Sequence, residues 1–317
     1  MTILITGANG FTGAHVARIA LKKGIDVHGY VRESSDLNRL NGLKIKLFKG
    51  DITDAKTILH ALENVDTVIH TAAYVALGAV DQAEMERVNV EGTRTVLATS
   101  LAAGVKRFVY CSTIGIFGDT KGEIVTEEFQ RDQSGFSSTY DSSKFYAQKL
   151  VDSYLQKGLE VISILPSGIM GRGDPHFGPV ISRYLSGRLK LWAGGQRLTG
   201  IVHVEDVANS LLLAAQKGRA GEKYIVSAGE LRTIDMFAIL ARGKPLKPPK
   251  EVPEIVVRAV AQLLEITFKI VAKRPPLNRE LVHYLYDRCV RVDATKARNE
   301  LGWRPLSPEQ IVLTLIP

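Results

Sequence analysis

The hydrophobic positions of this chain follow two alternating spacings. Short, nearly continuous apolar runs, typical of strands buried on both faces of a parallel sheet, occur at residues 2–6, 26–31, 44–48, 65–70 and 108–113. Between them lie stretches with apolar residues every three or four positions, as in amphipathic helices. This alternation predicts an α/β fold with a doubly wound parallel sheet.

Glycines follow the first apolar run at a regular spacing. Run 2–6 leads into Gly7, Gly10 and Gly13, and a helical pattern begins at Gly13. Glycine is needed where a turn is tight and where backbone approaches a pyrophosphate, and the next helix directs its amides at the phosphates. The loop predicts a Rossmann-type dinucleotide site, with contacts from Gly7, Asn9, Gly10, Phe11, Thr12 and Gly13.

A tyrosine and a lysine, Tyr140 and Lys144, lie one helical turn apart on one face. A carbonyl that accepts hydride also needs a proton, which a tyrosine donates or, in the reverse direction, accepts. A free phenol has a pKa of about 10, and the Lys144 ammonium and a positive nicotinamide are expected to lower it. With the glycine loop, the pair predicts hydride transfer with a nicotinamide cofactor.

The end of the second predicted strand bears on the choice between NAD and NADP. NAD enzymes usually place an acidic residue there for the ribose hydroxyls. Here Arg32 follows the strand, a residue suited to a 2′-phosphate, with Ser34 and Ser35 as hydroxyl donors and Glu33 one residue later. The alternative is that Arg32 is an exposed charge without a ligand. The pattern favours NADP as cofactor over NAD.

The Gly-x-x-Gly-x-x-Gly spacing and the tyrosine–lysine pair resemble the extended branch of the short-chain dehydrogenase/reductase superfamily. Segments 165–174, 201–208 and 293–303 are similar to the loop after its sixth strand, its return segment and its C-terminal helix. Arg32, residues 89–93 and residues 166–174 resemble the dihydroflavonol-reductase and 3β-hydroxysteroid-dehydrogenase group of the NAD-dependent epimerase/dehydratase family.

This resemblance implies further site residues. Thr113, five residues before Gly118, would be the catalytic hydroxyl; Ser112 is the alternative, because successive strand side chains face opposite sides. Asn89 would order backbone and water near Lys144. Lys144 itself would hold the nicotinamide ribose. Asp51 is either a contact beside the adenine or the N-cap of the next helix. The cofactor contacts expected beyond the glycine loop are Arg32, Asp51, Ile52, Thr71, Ala72, Ala73, Tyr140, Lys144, Pro166, Ser167, Gly168 and Ile169.

The length of 317 residues allows two lobes. Residues 1–165 are expected to form the dinucleotide-binding domain, to which residues around 200–228 return. Residues 166–317 are expected to form mainly a smaller substrate lobe. Substrate specificity is expected in residues 74–86, 119–139 and 175–191 and in the C-terminal lobe.

Positive charge is concentrated near the C-terminus, where residues 241–304 contain 14 Lys/Arg and 7 Asp/Glu, or +7 of the chain's +8. Without a recognisable module or aromatic platform, nucleic acid is not expected as a partner. A solvated basic face is favoured over an anionic substrate or an acidic membrane surface. The two cysteines, Cys111 and Cys289, are too few for a disulfide framework, and the first residues are predicted to form a strand rather than a signal peptide. A cytoplasmic protein is therefore expected. No His/Cys cluster has zinc spacing, so no metal is expected.

Residues 254–273 are predicted to form a strongly amphipathic helix with an unusually wide apolar face. Charges at Arg258, Glu265 and Lys269 make it a poor transmembrane candidate. The alternatives are ordinary core packing, a roof over a lipophilic substrate pocket, a dimer interface and a membrane contact. The resemblance independently implies a homodimer through two core helices.

Three functions remain open at this point. The leading one is an NADP-dependent oxidoreductase that interconverts a carbonyl and a secondary alcohol of a lipophilic or anionic small molecule. The second is an NAD-dependent nucleoside-diphosphate-sugar epimerase with the same Thr/Tyr/Lys set; dehydration is disfavoured because Ile114 and Gly115 replace an Asp-Glu pair. The third, a cofactor-binding sensor or scaffold without turnover, is disfavoured because Tyr140 and Lys144 are both present.

Overall fold

The computed structural model describes residues 1–78, 80–270 and 275–316. Its strands are β1 Thr2–Thr6, β2 Asp26–Val31, β3 Lys46–Lys49, β4 Thr67–His70, β5 Arg107–Cys111, β6 Ile124–Val125, β7 Glu160–Pro166, β8 Gly168–Met170, β9 Leu191–Trp192, β10 Leu198–His203, β11 Lys223–Val226, β12 Gly229–Arg232, β13 Lys250–Glu251 and β14 Arg291–Val292. Its helices are α1 Phe11–Lys22, α2 Ala55–Ala61, α3 Gln82–Glu86, α4 Thr93–Ala102, α5 Thr139–Ser153, α6 Gly178–Leu185, α7 Val204–Lys217, α8 Thr233–Leu240, α9 Glu254–Ile270, α10 Arg279–Tyr286, α11 Thr295–Glu300 and α12 Pro308–Thr314.

The central sheet has seven strands in the order β11-β7-β5-β4-β1-β2-β3. Every neighbouring pair in it is parallel. The chain builds outward from β1 in one direction through β2 and β3, and then in the other direction through β4, β5 and β7. This confirms the predicted doubly wound Rossmann fold, in which ligands bind outside the carboxyl ends of the strands where the order reverses.

Helices cover both faces of the sheet, which explains the continuous apolar runs. In β1, Ile3 and Ile5 join the core cluster that contains Val16 of α1 and Leu211 of α7. Leu4 points the other way, into a cluster with Val96 of α4 and with α5 residues. Successive residues of one strand therefore belong to two separate cores, as the period of two in a strand dictates.

A second sheet and its own core lie outside the central sheet. This sheet has the order β12-β10-β8, and a separate core joins α6, α8 and α12 through Tyr184, Phe237 and Ile311. The α9–α10 pair packs through a small cluster of Val257, Ala261 and Val282.

Some element boundaries differ from the sequence prediction. Helix α1 begins at Phe11 rather than Gly13, because Gly10 is its N-cap. The third and fifth strands span residues 46–49 and 107–111 rather than 44–48 and 108–113. Residues 271–273 of the predicted helix 254–273 lie outside the described residues. Within the described part of the chain, no helix has the length and apolar character needed to cross a membrane.

The alternative role of Asp51 as a helix cap is wrong. Asp54 is the N-cap of α2, and its Oδ1 accepts a hydrogen bond of 3.0 Å from the Lys56 amide. Asp51 instead lies on the turn before it, where its carboxylate is free to engage a different partner.

Candidate functional site

A groove of about 370 Å³ opens at the carboxyl ends of β1, β2 and β4. This is the edge at which the strand order reverses, so it is where the fold itself predicts a ligand. The predicted cofactor contacts that line the groove are Gly7, Asn9, Gly10, Arg32, Asp51, Ile52, Thr71, Ala72 and Ala73.

Glycines give the groove its close backbone approach. Gly7 has a φ of +67°, and a Cβ added there would lie 2.8 Å from the Ala72 Cα. A Cβ on Gly13 would lie 2.3 Å from the Gly7 carbonyl oxygen. A larger residue at Gly7 would push the loop away from Ala72, and a larger residue at Gly13 would push α1 away from the loop.

The start of α1 provides donors for an anion. The Gly10 amide donates a hydrogen bond of 2.9 Å to the Gly7 carbonyl, and among the described residues no side chain caps the helix. The first amides of α1 are thus left at the positive end of the helix dipole without a side-chain acceptor. This cradle fits the phosphates of a dinucleotide.

The segment after β2 presents a cation to the groove. Arg32 is exposed and lines the groove together with Ser35. Glu33 is turned toward Lys49, with a carboxylate-to-ammonium distance of 3.6 Å, and its side chain is 74% exposed. Of the described residues that line the groove, none from this segment is acidic.

On the opposite wall, Asp51 is held by Arg87, a residue that the sequence prediction did not include. Arg87 Nη1 donates to both Asp51 oxygens at 3.1 Å, while its Nε and Nη2 bind Glu84 at 2.7 and 2.9 Å. Burial favours the neutral acid, but the hydrogen bonds from Arg87 and Thr53 outweigh it and lower the pKa of Asp51 to about 2. Asp51 is thus a fixed, ionised acceptor at neutral pH.

Lys144 is buried beside the end of β5. Its side chain is 2% exposed, and its Nζ donates a hydrogen bond of 2.8 Å to the Cys111 carbonyl. The same atom lies 4.2 Å from the centroid of the Tyr110 ring. Burial lowers the pKa of Lys144 to about 8, with the neighbouring Cys111 acting in the opposite direction.

The expected lowering of the Tyr140 pKa is not produced by the chain itself. Burial raises the pKa of the Tyr140 phenol well above its usual value, and the neighbouring Cys111 and Asp141 add to this effect. Desolvation of the phenolate therefore raises the pKa by more than the nearby cation Arg288 lowers it. In the protein alone, Tyr140 is a proton donor.

Thr113 lies just after β5, and its hydroxyl has a defined orientation. The Thr113 Oγ1 accepts a hydrogen bond of 3.0 Å from the Gly115 amide, so its hydroxyl hydrogen remains available to donate. Ser112 is only 3% exposed, whereas Thr113 is partly exposed. Thr113 is therefore the better candidate of the two for a substrate contact.

Asn89 lies in a π-helical segment, Arg87–Gly92, rather than in a regular helix. It is 1% exposed. Its side chain accepts from the Tyr74 amide at 2.7 Å and donates to the Tyr74 carbonyl at 3.0 Å and to Ser143 Oγ at 2.9 Å. Ser143 Oγ in turn donates to the Tyr140 carbonyl at 2.8 Å. Asn89 thereby fastens the loop after β4 to the helix that carries Tyr140 and Lys144.

The remaining predicted contacts do not line the groove. Phe11, Thr12 and Gly13 lie in the first turn of α1. Pro166 ends β7, and Ser167 leads into Gly168 and Ile169 of β8. Because β5 and β7 are neighbours in the sheet, Thr113 and Pro166 lie at the same carboxyl edge of the sheet as the groove.

Several groove residues were not predicted as contacts: Tyr30, Val31, Gly50, Tyr74, Glu84, Arg87 and Val88. Tyr74, Glu84 and the neighbouring residues fell in a segment assigned to substrate specificity. The only available signal for Arg87 was its spacing of three residues from Glu84 on a helix. Nothing local linked it to Asp51.

The fold and the groove define a Rossmann enzyme with a nicotinamide-nucleotide site. The chain belongs to the NAD dependent epimerase/dehydratase family, whose model matches residues 3–228. It is thus an NAD(P)-dependent enzyme of the extended short-chain dehydrogenase/reductase group, as the sequence resemblance predicted.

Known relatives cover nearly the whole chain. Sterol demethylase protein B of Methylococcus capsulatus is 31% identical over 97% of this chain and 94% of its own length. The 3-beta-hydroxysteroid dehydrogenase of Mycolicibacterium neoaurum is 30% identical over 99% of this chain and 90% of its own. The crystal structure of UDP-glucose 4-epimerase from Thermotoga maritima superposes with a TM-score of 0.80, at 23% identity and covering 99% and 97% of the two chains. This last likeness shows the shared fold alone.

Proposed function

We propose that this protein is an NADP-dependent oxidoreductase that interconverts a carbonyl and a secondary alcohol on a lipophilic small molecule. In this proposal residues 1–165 mainly bind the cofactor and residues 166–317 mainly bind the substrate. The observation that carries the choice of cofactor is the end of β2, where Arg32 faces the groove while Glu33 is turned toward Lys49. A guanidinium suits a 2′-phosphate, whereas it offers nothing specific to a free ribose hydroxyl.

The residues around the groove supply a phosphate site and a fixed hydrogen-bond acceptor, as a dinucleotide requires. The uncapped start of α1 suits the pyrophosphate, and Asp51 is an ionised acceptor that Arg87 holds in place. Pro166 ends β7 at the same edge of the central sheet, and Ser167 to Ile169 follow it. When bound, the reduced nicotinamide supplies a hydride for the carbonyl carbon.

The chain's own groups handle the proton. In the reductive direction, the Tyr140 hydroxyl donates its proton to the substrate oxygen, and the raised pKa of the buried phenol keeps it in the protonated form that this role requires. The Thr113 hydroxyl donates a hydrogen bond to the same oxygen, since the Gly115 amide takes one of its two lone pairs and leaves its hydrogen free. Lys144 carries a positive charge in the buried site below a pH of about 8, and this charge stabilises the phenolate that remains after proton transfer.

A lipophilic substrate is supported by the relatives rather than by a defined pocket. The two whole-length relatives described above are named for acting on sterols and steroids. The epimerase likeness, at 23% identity, gives no comparable support for a sugar nucleotide. A cyclic or long-chain hydrophobic ketone is therefore the substrate class to examine first.

Fluorescence titration of cofactor-stripped protein with NADPH and NADH tests the proposal. We expect NADPH to bind at least tenfold more tightly, which corresponds to about 1.4 kcal/mol. A panel of steroid and other hydrophobic ketones would then be screened for NADPH oxidation, with UDP-glucose as the comparison substrate. Preference for NADH, or NAD that cannot be stripped, would reject the proposal in favour of sugar-nucleotide epimerisation.

A further inference from the structure

Helix α9 presents an apolar face to solvent. Its exposed side chains include Ile255 at 78%, Leu263 at 61% and Ile266 at 56%. Val256 and Val260 are 45% and 42% exposed and continue this apolar surface beside Leu263. An ordinary surface helix carries charged and polar residues on its outward face, and the outward face of α9 departs from this pattern.

The exposed face is distinct from the face that packs. Val257 and Ala261 are 6% and 1% exposed and contact Val282 of α10. At 100° per residue, these positions lie roughly opposite Leu263 and Ile266. The helix is therefore already anchored on one side, and its outward apolar residues contribute nothing to the core.

The charged residues Glu254, Arg258 and Glu265 lie along one edge of α9. Arg258 pairs with Glu254 at 2.6 Å and with Asp287 at 2.5 Å, and Glu265 pairs with Arg279 at 3.3 Å. The acidic residues beside the apolar face are thus neutralised by partners. A contiguous apolar surface without free negative charge is what an interaction site presents.

The segment before α9 is basic. Lys244, Lys247 and Lys250 are all exposed, and within the described part of the chain none of them forms an ion pair with a carboxylate. Lys250 lies in β13, beside β9, in which Leu191 is 61% exposed. The nearby Glu251 is occupied by the Gly195 amide at 3.0 Å.

We propose that the outward face of α9 docks on an anionic lipid membrane surface, with the helix lying in the plane of the interface. The apolar side chains would enter the boundary between headgroups and acyl chains, and the three lysines would contact anionic headgroups. This is the combination by which interfacial helices bind: buried apolar area together with attraction of basic residues to acidic lipid.

The same surface is less well suited to a second copy of this chain. A two-fold contact through α9 would cover the apolar face, but the α9 carboxylates Glu254 and Glu265 are already paired with Arg258 and Arg279 and offer the lysines no partner. An anionic bilayer, in contrast, satisfies the apolar face and the lysines together.

Vesicle co-sedimentation of the full chain tests the docking. Vesicles of phosphatidylcholine alone are compared with phosphatidylcholine vesicles that contain phosphatidylglycerol. The apolar variant is Leu263→Gln/Ile266→Gln, and the basic variant is Lys244→Gln/Lys247→Gln/Lys250→Gln. Matched controls replace exposed residues elsewhere: Leu59→Gln/Leu155→Gln, at 51% and 42% exposure, and Lys22→Gln/Lys23→Gln/Lys106→Gln, all exposed.

We expect the wild type and both controls to bind the anionic vesicles and to bind neutral vesicles at least tenfold more weakly. Each lysine near an acidic surface contributes roughly fivefold to partitioning, so the basic variant should lose at least about tenfold. The apolar variant should lose at least as much, since buried apolar area supplies the rest of the binding. Thermal unfolding verifies that every variant remains folded.

Equal sedimentation of the wild type, the apolar variant and the basic variant would overturn the proposal, as would wild-type protein that stays in solution with both vesicles. Size-exclusion chromatography without lipid tests the alternative that a second copy of the chain covers this face. If the wild type is a dimer that Leu263→Gln/Ile266→Gln converts to a monomer, and it does not bind vesicles, then the occupant of the face is a second copy and membrane docking is rejected.

Discussion

Arg288 and Asp141 form an ion pair in the protein interior, with 3.1 Å between Arg288 Nε and Asp141 Oδ2. Their side chains are 8% and 2% exposed. Asp141 follows the candidate proton donor Tyr140, while Arg288 comes after α10 in the C-terminal lobe. Gly115 makes room for the pair, because a Cβ there would lie 2.2 Å from Asp141 Oδ1. The contact thus joins three segments around Tyr140.

Breaking this pair should be costly. Arg288→Met leaves the Asp141 carboxylate buried without its partner and should lower the free energy of unfolding by about 3–5 kcal/mol. The double variant Arg288→Met/Asp141→Asn should recover part of this loss, because the unpaired charge is gone. Urea denaturation measures each value. The exposed pair of Arg232 and Asp235 is the control, and Arg232→Met should cost under about 1 kcal/mol. Equal losses for Arg288→Met and Arg232→Met would contradict the expectation.

The Arg32 side chain should control the preference for NADPH. Arg32→Gln removes the cation on the groove wall and should weaken NADPH binding about tenfold or more, while NADH binding stays within about twofold, because only NADPH carries the 2′-phosphate. Fluorescence titration gives both constants. Arg94→Gln, on the exposed side of α4, is the matched control and should change neither. A parallel loss for NADPH and NADH would remove Arg32 from the 2′-phosphate site.

Tyr140 should matter to turnover and little to cofactor binding. Tyr140→Phe removes the transferable proton and should reduce kcat about 10²–10⁴-fold, since the ring remains to fill the same space. The dissociation constant for NADPH should stay within about threefold. Steady-state kinetics with a ketone from the screen and a parallel titration measure the two effects. Full activity of Tyr140→Phe would assign proton donation to another group.

Stability should depend on pH through Lys144. Its pKa is lowered by burial from 10.5 in the unfolded chain to about 8 in the folded protein. Between these values the unfolded chain holds a proton that the folded protein has released, so stability rises with pH across this window. The gain is up to about 1.4 kcal/mol per pH unit and about 3 kcal/mol in total.

The comparison with Lys144→Met isolates this effect. Urea denaturation gives the free energy of unfolding of the cofactor-free wild type and variant at several pH values between 8 and 10.5. The difference between the two proteins removes the contribution of all other titrating groups. We expect the stability of the wild type relative to Lys144→Met to increase across the window. Parallel stability curves for the two proteins would show that Lys144 does not titrate there.

Local sequence patterns determined the sheet and the glycine cradle. β1 and β2 have the bounds that their apolar runs predict, because strands buried on both faces must be apolar throughout. The loop from Gly7 to Gly13 could also be identified, since the spacing and the backbone requirement lie within a few residues. The C-terminal end of β5 was predicted less accurately, because the run continues into a turn whose conformation depends on tertiary contacts.

Only the tertiary structure decided which polar groups meet. Arg87 lies far along the chain from Asp51, and Arg288 lies farther still from Asp141, so no local sequence spacing predicts either ion pair. The pKa of Tyr140 was expected to fall through Lys144 and a bound, positively charged nicotinamide, but desolvation in the protein alone was not considered. Burial raises it instead. Sequence determines which groups are available along one element, whereas packing of distant elements determines their partners and their distance from water, and these set the electrostatics of the site.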